Sequence, residues 1–134
     1  MKRCLITGAT GVVGPSVVKA FQDAGYAVRV FARKPVENLE FVVGDLVDAP
    51  LTEATRDVDV VVHLAALLHE NAGDYERVNV EGTRRLLDAA IASGVRRFVF
   101  ASSIAVYGPG KGEMIDETTP PAPDTPYARS KRNA

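Results

Sequence analysis

The feature that most constrains this chain is the run Leu5-Ile6-Thr7-Gly8-Ala9-Thr10-Gly11-Val12-Val13-Gly14, where three glycines separate an apolar segment of strand length from an amphipathic segment of helix length. A turn of this kind adopts backbone conformations closed to larger residues. It lets the main chain approach a diphosphate and aims the free amides of a helix N-terminus at negative charge. An ordinary tight turn explains one glycine but not three at this spacing, and the flanking strand and helix are the context a phosphate-binding turn requires. The spacing therefore nominates Gly8, Thr10, Gly11, Val12, Val13 and Gly14 as cofactor-binding residues. Pro15 fits, because it falls in the first helical turn, where amides have no intrahelical acceptor.

Beyond that turn, apolar runs of strand length alternate with helix-length amphipathic stretches. The alternation predicts an α/β fold of Rossmann type, a doubly wound parallel sheet of about five strands, incomplete, within three α/β/α layers. The strands are read as Arg3 to Thr7, Ala27 to Ala32, Glu40 to Val43, Val58 to Leu64 and Arg97 to Ser102. A first helix is predicted from Val12 to Ala24, closed by Gly25, and a short one near Thr52 to Arg56. A long helix is predicted from Asp74 to Ser93, with Val78, Leu86, Leu87, Ala90 and Ile91 as its apolar stripe and Gly94 at its end. Gly82 inside it costs about 1 kcal/mol of helix propensity relative to alanine, which predicts a close approach of the backbone to a neighbour. Arg33 to Leu39 is too short for a crossover helix. The Pro- and Gly-rich stretch Tyr107 to Pro126 reads as loop, and a last helix begins near Pro126 with Asp124 or Thr125 as its cap.

With 134 residues, 46% of them hydrophobic, the chain can bury one core of ordinary size, so residues 1–134 are read as one nucleotide-binding domain. Sixteen basic and 17 acidic residues give a formal charge of -1, which excludes a global field drawing in nucleic acid or an anionic bilayer. The apolar run near the N-terminus is too short for a signal-peptide core, and nowhere do about 18 apolar residues run together, so a soluble, cytoplasmic protein is expected. The single cysteine, Cys4, reads as a core residue, and no Cys/His/Asp spacing suggests a metal site.

The spacing Gly8-x-x-Gly11-x-x-Gly14 resembles the short-chain dehydrogenase/reductase superfamily, and further motifs narrow the resemblance to its extended type, the NAD-dependent epimerase/dehydratase family. Gly44-Asp45-Leu46 resembles the loop after the third strand, where the resemblance implies that Asp45 meets the adenine amino group. His63-Leu64-Ala65-Ala66 is similar to the strand end lying along the cofactor. Asn79-Val80-Glu81-Gly82-Thr83 resembles the helix whose asparagine helps order the site. Phe100 to Gly108 and Pro126-Tyr127-Ala128-Arg129-Ser130-Lys131 are similar to the strand-five signature and to the Tyr-x-x-x-Lys motif. Ala128 stands where glycine is common. Family members continue with more strands and a substrate-binding region, which this sequence does not include.

The resemblance implies catalysis by Ser103, Tyr127 and Lys131, with Asn79 in support, and implies that Leu64, Ala65, Ala66, Asp45, Leu46, Tyr127 and Lys131 meet the cofactor. Ser103 is preferred to Ser102 only by its place relative to Val106-Tyr107-Gly108. On a helix, Tyr127 and Lys131 leave one face a turn apart, and a phenol beside an ammonium is a usable proton donor and acceptor. The position where NAD-preferring relatives carry an acid is Ala32 here, followed by Arg33 and Lys34. A guanidinium there suits a 2′-phosphate, so NADP is the expected cofactor, with NAD as the alternative. The expected activity is oxidoreduction at a carbinol or ketone, alone or within epimerisation or dehydration of a small-molecule substrate such as a nucleotide sugar. A non-catalytic NADP-binding module or inactive fragment is the alternative. A homodimer through the long helix and the Tyr127 helix is also implied.

Overall fold

The computed structural model describes residues 1–69 and 72–134. Its five strands are β1 (Arg3–Thr7), β2 (Ala27–Ala32), β3 (Glu40–Val43), β4 (Val60–His63) and β5 (Arg97–Phe100), all parallel in the order β3-β2-β1-β4-β5. β1 is central, with Thr7 facing Phe31 of β2 on one side and His63 of β4 on the other. After β3 the chain crosses back over β1 to reach β4. The direction of winding therefore reverses between β1 and β4, and a crevice opens beyond their C-terminal ends.

The central strand is buried on both faces because its residues alternate between two cores. Cys4 and Ile6 join Val18, Val28, Val30 and Val62 beneath α1 (Gly14–Asp23), while Leu5 joins Phe31, Leu51, Val61, Leu86 and Ala90 on the opposite side. Each fully buried Leu or Ile contributes about 1.5–3 kcal/mol. The second core is covered by α2 (Thr52–Thr55) and by a long helical element. That element runs from α3 (Ala72–Tyr75) through a π-helical turn at Glu76–Glu81 into α4 (Gly82–Ala92). A 3-10 turn at Ile104–Tyr107 and α5 (Pro126–Asn133) complete the described elements.

Several expectations hold in detail. Gly25 and Gly94 both carry positive φ just beyond their helices, Thr125 rather than Asp124 caps α5 by accepting from the Ala128 amide at 3.0 Å, and no helix forms between β2 and β3. Other bounds differ. α1 begins at Gly14 rather than Val12, since the preceding residues are taken up in the glycine turn, where the Gly11 amide donates to the Gly8 carbonyl at 3.1 Å. The ladders of β4 and β5 are shorter than read, although Leu64 and Ala101 still donate to Thr7 and His63 as the strands leave the sheet.

The long helix departs most. Its π-helical turn widens the helix where Asn79 reaches sideways, and the Gly82 amide accordingly donates to the Arg77 carbonyl. Beyond it the buried arc is Gly82, Thr83, Leu86 and Ala90, so the stripe read from sequence is corrected: Leu87 and Ile91 are exposed. The close approach expected at Gly82 is present, since a Cβ there would lie 3.2 Å from the Leu46 Cβ. Within the sheet, the buried Arg29 of β2 pairs with Glu40 of β3 at 2.7 Å and donates to the carbonyls of Glu53, Ala54 and Arg56. Its guanidinium thus closes the end of α2 and ties it to the sheet.

Candidate functional site

At the C-terminal ends of β1, β2 and β4 lies a cleft of about 490 Å³. One end is built by the glycine turn. Gly8 has φ +73°, and a Cβ on it would sit 2.6 Å from the Ala65 amide nitrogen; a Cβ on Gly14 would sit 2.2 Å from the Ala9 carbonyl oxygen. The turn is therefore packed backbone against backbone, in space no side chain can share. No side chain caps α1 and its first turn holds no acid, so its leading amides remain available to an anion. A closely packed turn with glycine at its tightest points, feeding an uncapped helix, is the cradle a dinucleotide's diphosphate requires, and the residues present fit that group.

Nearly all the residues nominated from sequence meet in this cleft. Gly8, Thr10, Gly11, Val12, Val13 and Gly14 line the end formed by the glycine turn, Arg33, Asp45 and Leu46 the β2-β3 side, Leu64, Ala65 and Ala66 the middle, and Tyr127 and Lys131 the far side. Lys34 is exposed and does not line it. Neither does Ser103: Ser102 forms the wall there, while the Ser103 oxygen accepts from the Ala105 amide at 3.2 Å and caps the 3-10 turn, its hydroxyl hydrogen donating to no acceptor among the described residues.

Asn79 lies behind the cleft wall. Its Oδ1 accepts from the Leu67 amide at 2.7 Å, and its Nδ2 donates to the Leu67 carbonyl at 3.1 Å and to the Ser130 hydroxyl at 2.9 Å. Ser130 in turn donates to the Tyr127 carbonyl at 2.7 Å. The Asn79 amide thereby fastens the stretch after β4 to the helix that carries Tyr127 and Lys131.

Sequence reasoning left this fastening incomplete, since Thr7, His63, Thr83 and Ser130 all belong to it. The Thr83 hydroxyl donates to the Asn79 carbonyl at 2.6 Å, so toward His63, 2.9 Å away, it accepts, and Nε2 of the imidazole carries the hydrogen. Nδ1 then accepts from the Thr7 hydroxyl at 2.6 Å, whose oxygen receives the Ala65 amide at 3.2 Å. Every donor has an acceptor provided His63 is neutral. Burial, with the positive Lys131 second, pushes its pKa down to about 4. The sequence signal was faint: polar residues closing apolar strands at Thr7 and His63, and Thr83 one helical turn past Asn79.

Lys131 is almost wholly buried, its ammonium 4.1 Å from the centre of the Phe100 ring, and burial lowers its pKa from the ordinary lysine value. The Tyr127 ring meets Tyr75 edge-on with centroids 6.1 Å apart. Among the described residues no helix is long and apolar enough to cross a membrane, and no group of three or more His, Cys, Asp or Glu side chains could hold a metal ion.

A parallel sheet in this order, with a glycine cradle at its switch point, defines a Rossmann-type dinucleotide-binding protein. The match is specific: residues 4–134 fit the NAD dependent epimerase/dehydratase family, and the chain belongs to it. It is 32% identical to the mouse (Mus musculus) dTDP-D-glucose 4,6-dehydratase over 99% of its own length and 44% of that protein's. Among solved structures it is similar to a short-chain dehydrogenase/reductase superfamily protein from Agrobacterium tumefaciens with bound NAD. That likeness has a TM-score of 0.87 and 44% identity, covering 98% of this chain and 42% of that one. It is also similar to MoeE5 in complex with UDP-glucose and NAD, with a TM-score of 0.89 and 34% identity over 98% and 46% of the two chains. The chain thus spans less than half the length of these relatives.

Proposed function

We propose that this chain holds an NAD(P) dinucleotide for proton and hydride transfer at a carbinol or ketone, as part of an epimerase, dehydratase or reductase acting on a nucleotide sugar. The observation that carries the reading is that Tyr127 and Lys131 line the same cleft as the Gly8 to Gly14 turn, although more than a hundred residues separate them in sequence. When bound, the nicotinamide supplies the hydride acceptor and donor. Tyr127 as phenolate takes the proton of the substrate hydroxyl, or as phenol returns it, and Lys131 presents the positive charge that steadies the phenolate oxygen. The Ser103 hydroxyl donates to the substrate oxygen while its own oxygen stays on the Ala105 amide. Asn79 keeps the wall and α5 in register. The likeness to MoeE5 in complex with UDP-glucose supports the nucleotide-sugar class.

For the cofactor, Arg33 in the cleft with alanine before it supports NADP, since no carboxylate there repels a 2′-phosphate. NAD is the second reading, favoured by its presence in the similar structures. Titration of the protein into NADPH and NADH, followed by fluorescence, tests both. NADP preference predicts that Arg33→Ala weakens NADPH by about tenfold or more and leaves NADH little changed, as loss of a charge-assisted hydrogen bond should. An unaltered NADPH affinity returns the assignment to NAD, and no binding of either removes the proposal. Consumption of the reduced cofactor with nucleotide-sugar ketones tests turnover; binding without it favours a non-catalytic module. The exposed Leu87 and Ile91 on α4 support pairing of two copies along that helix, which a purely monomeric sedimentation profile at high concentration would refute.

A further inference from the structure

We propose that Arg85 is a positioning residue for the adenine end of the cleft, holding the 46–47 peptide so that Asp45 presents its carboxylate to a purine amino group. The inference rests on the dinucleotide reading and adds to it a residue that lines no part of the cleft. α4 offers two consecutive arginines with different partners. Arg84 pairs with Glu81 and Asp88, as exposed helix arginines commonly do. Arg85 makes no ion pair among the described residues; its guanidinium reaches off the helix and donates to two backbone carbonyls of the loop after β3. One Nη donates to Leu46 and the other to Ala49, the latter at 2.9 Å. One turn earlier on the same face, Gly82 leaves the bare spot against which the Leu46 side chain rests.

The consequence travels through one planar unit. In a trans peptide the carbonyl and the following amide point in opposite directions, so fixing the Leu46 carbonyl toward α4 turns the Val47 amide away from it. That amide donates to Oδ1 of Asp45 at 2.9 Å, and the Asp45 carbonyl accepts from Ala49 at 3.0 Å. The Asp45 carboxylate is thereby held by one oxygen, while among the described residues Oδ2 has no hydrogen bond, and Asp45 lines the cleft. A fixed acceptor of this kind suits an exocyclic amine and disfavours a carbonyl oxygen in the same place.

The test compares two ligands that share every group but one. Reduced dinucleotides carrying adenine (NADPH or NADH, whichever binds the wild-type protein more tightly) and their hypoxanthine counterparts are titrated by fluorescence against wild type, Arg85→Lys, Arg85→Met and Arg84→Met. Wild type is expected to prefer adenine by about tenfold or more. Arg85→Met should bring that preference close to unity, and Arg85→Lys, which lacks the fork, should leave it in between. Arg84→Met should leave it unchanged. A general loss of folding or of diphosphate binding lowers both affinities together and does not move their ratio, and if Arg85→Met does not fold, Arg85→Lys carries the test. Full adenine preference in the Arg85 variants, or none in wild type, overturns the proposal while leaving dinucleotide binding in place. Failure of wild type to bind either ligand removes the dinucleotide reading itself.

Discussion

At the glycine turn the structure leaves no room: Gly8 is pressed against Leu64 and Ala65, and Gly14 against Ala9, backbone to backbone. At the Tyr127 end, by contrast, the geometry is set by side chains, through hydrogen bonds running from Thr7 through His63, Thr83 and Asn79 to Ser130. The first arrangement is fixed because a Cβ at Gly8 or Gly14 collides with backbone. The second holds only while each donor meets its acceptor, and so depends on protonation. One end of the cleft should therefore fail by sterics and the other by chemistry.

The largest effect expected from this contrast is at Gly14. A methyl group there cannot coexist with the Ala9 carbonyl, so the turn or the start of α1 must move. The cost is about 3 kcal/mol or more, and dinucleotide affinity should fall by about a hundredfold. Gly110→Ala is the converse case: its φ is +72°, whereas that of Gly14 is not positive, but nothing lies within 4 Å of the place its methyl group would take, so only backbone strain of about 1–2 kcal/mol is expected, with dinucleotide affinity retained. Fluorescence titration with chemical denaturation of the two variants checks both halves. Equal behaviour would break the claim that close packing, rather than positive φ as such, makes the turn.

The same contrast explains what was legible in the sequence. Glycines at Gly8, Gly11 and Gly14 announce themselves by their spacing between a strand and a helix, and the four-residue step from Tyr127 to Lys131 is a local rule as well. Arg85 and Thr83 are ordinary helix residues in sequence. Their partners lie 39 and 20 positions away, and only the crossover connections bring them together. Helical spacing carried across Glu76–Glu81 puts Leu87 and Ile91 on the buried stripe, but the π-helical turn there shifts the phase and Thr83 takes the inward place. Arg29 was hidden within a strand read as apolar, its charge accommodated by Glu40 and the end of α2.

The smaller and more telling effect lies at His63. As pH falls, the unfolded chain protonates this histidine near its ordinary value of 6.5, whereas the folded protein resists until about 4. The unfolded state therefore binds more protons between those values, and stability is complete above the upper one and drains away as pH falls toward the lower. The full gap corresponds to about 3 kcal/mol. His63→Gln isolates this contribution, because a glutamine amide can donate toward Thr83 and accept from Thr7 without titrating. Urea unfolding at pH 7.5, 6 and 4.5 should show wild type losing stability faster than the variant across that window, with carboxylate contributions common to both cancelling in the difference. Parallel curves would mean that His63 is not held neutral by its hydroxyl neighbours, and the Tyr127 end would then have to be held, like the glycine turn, by packing alone.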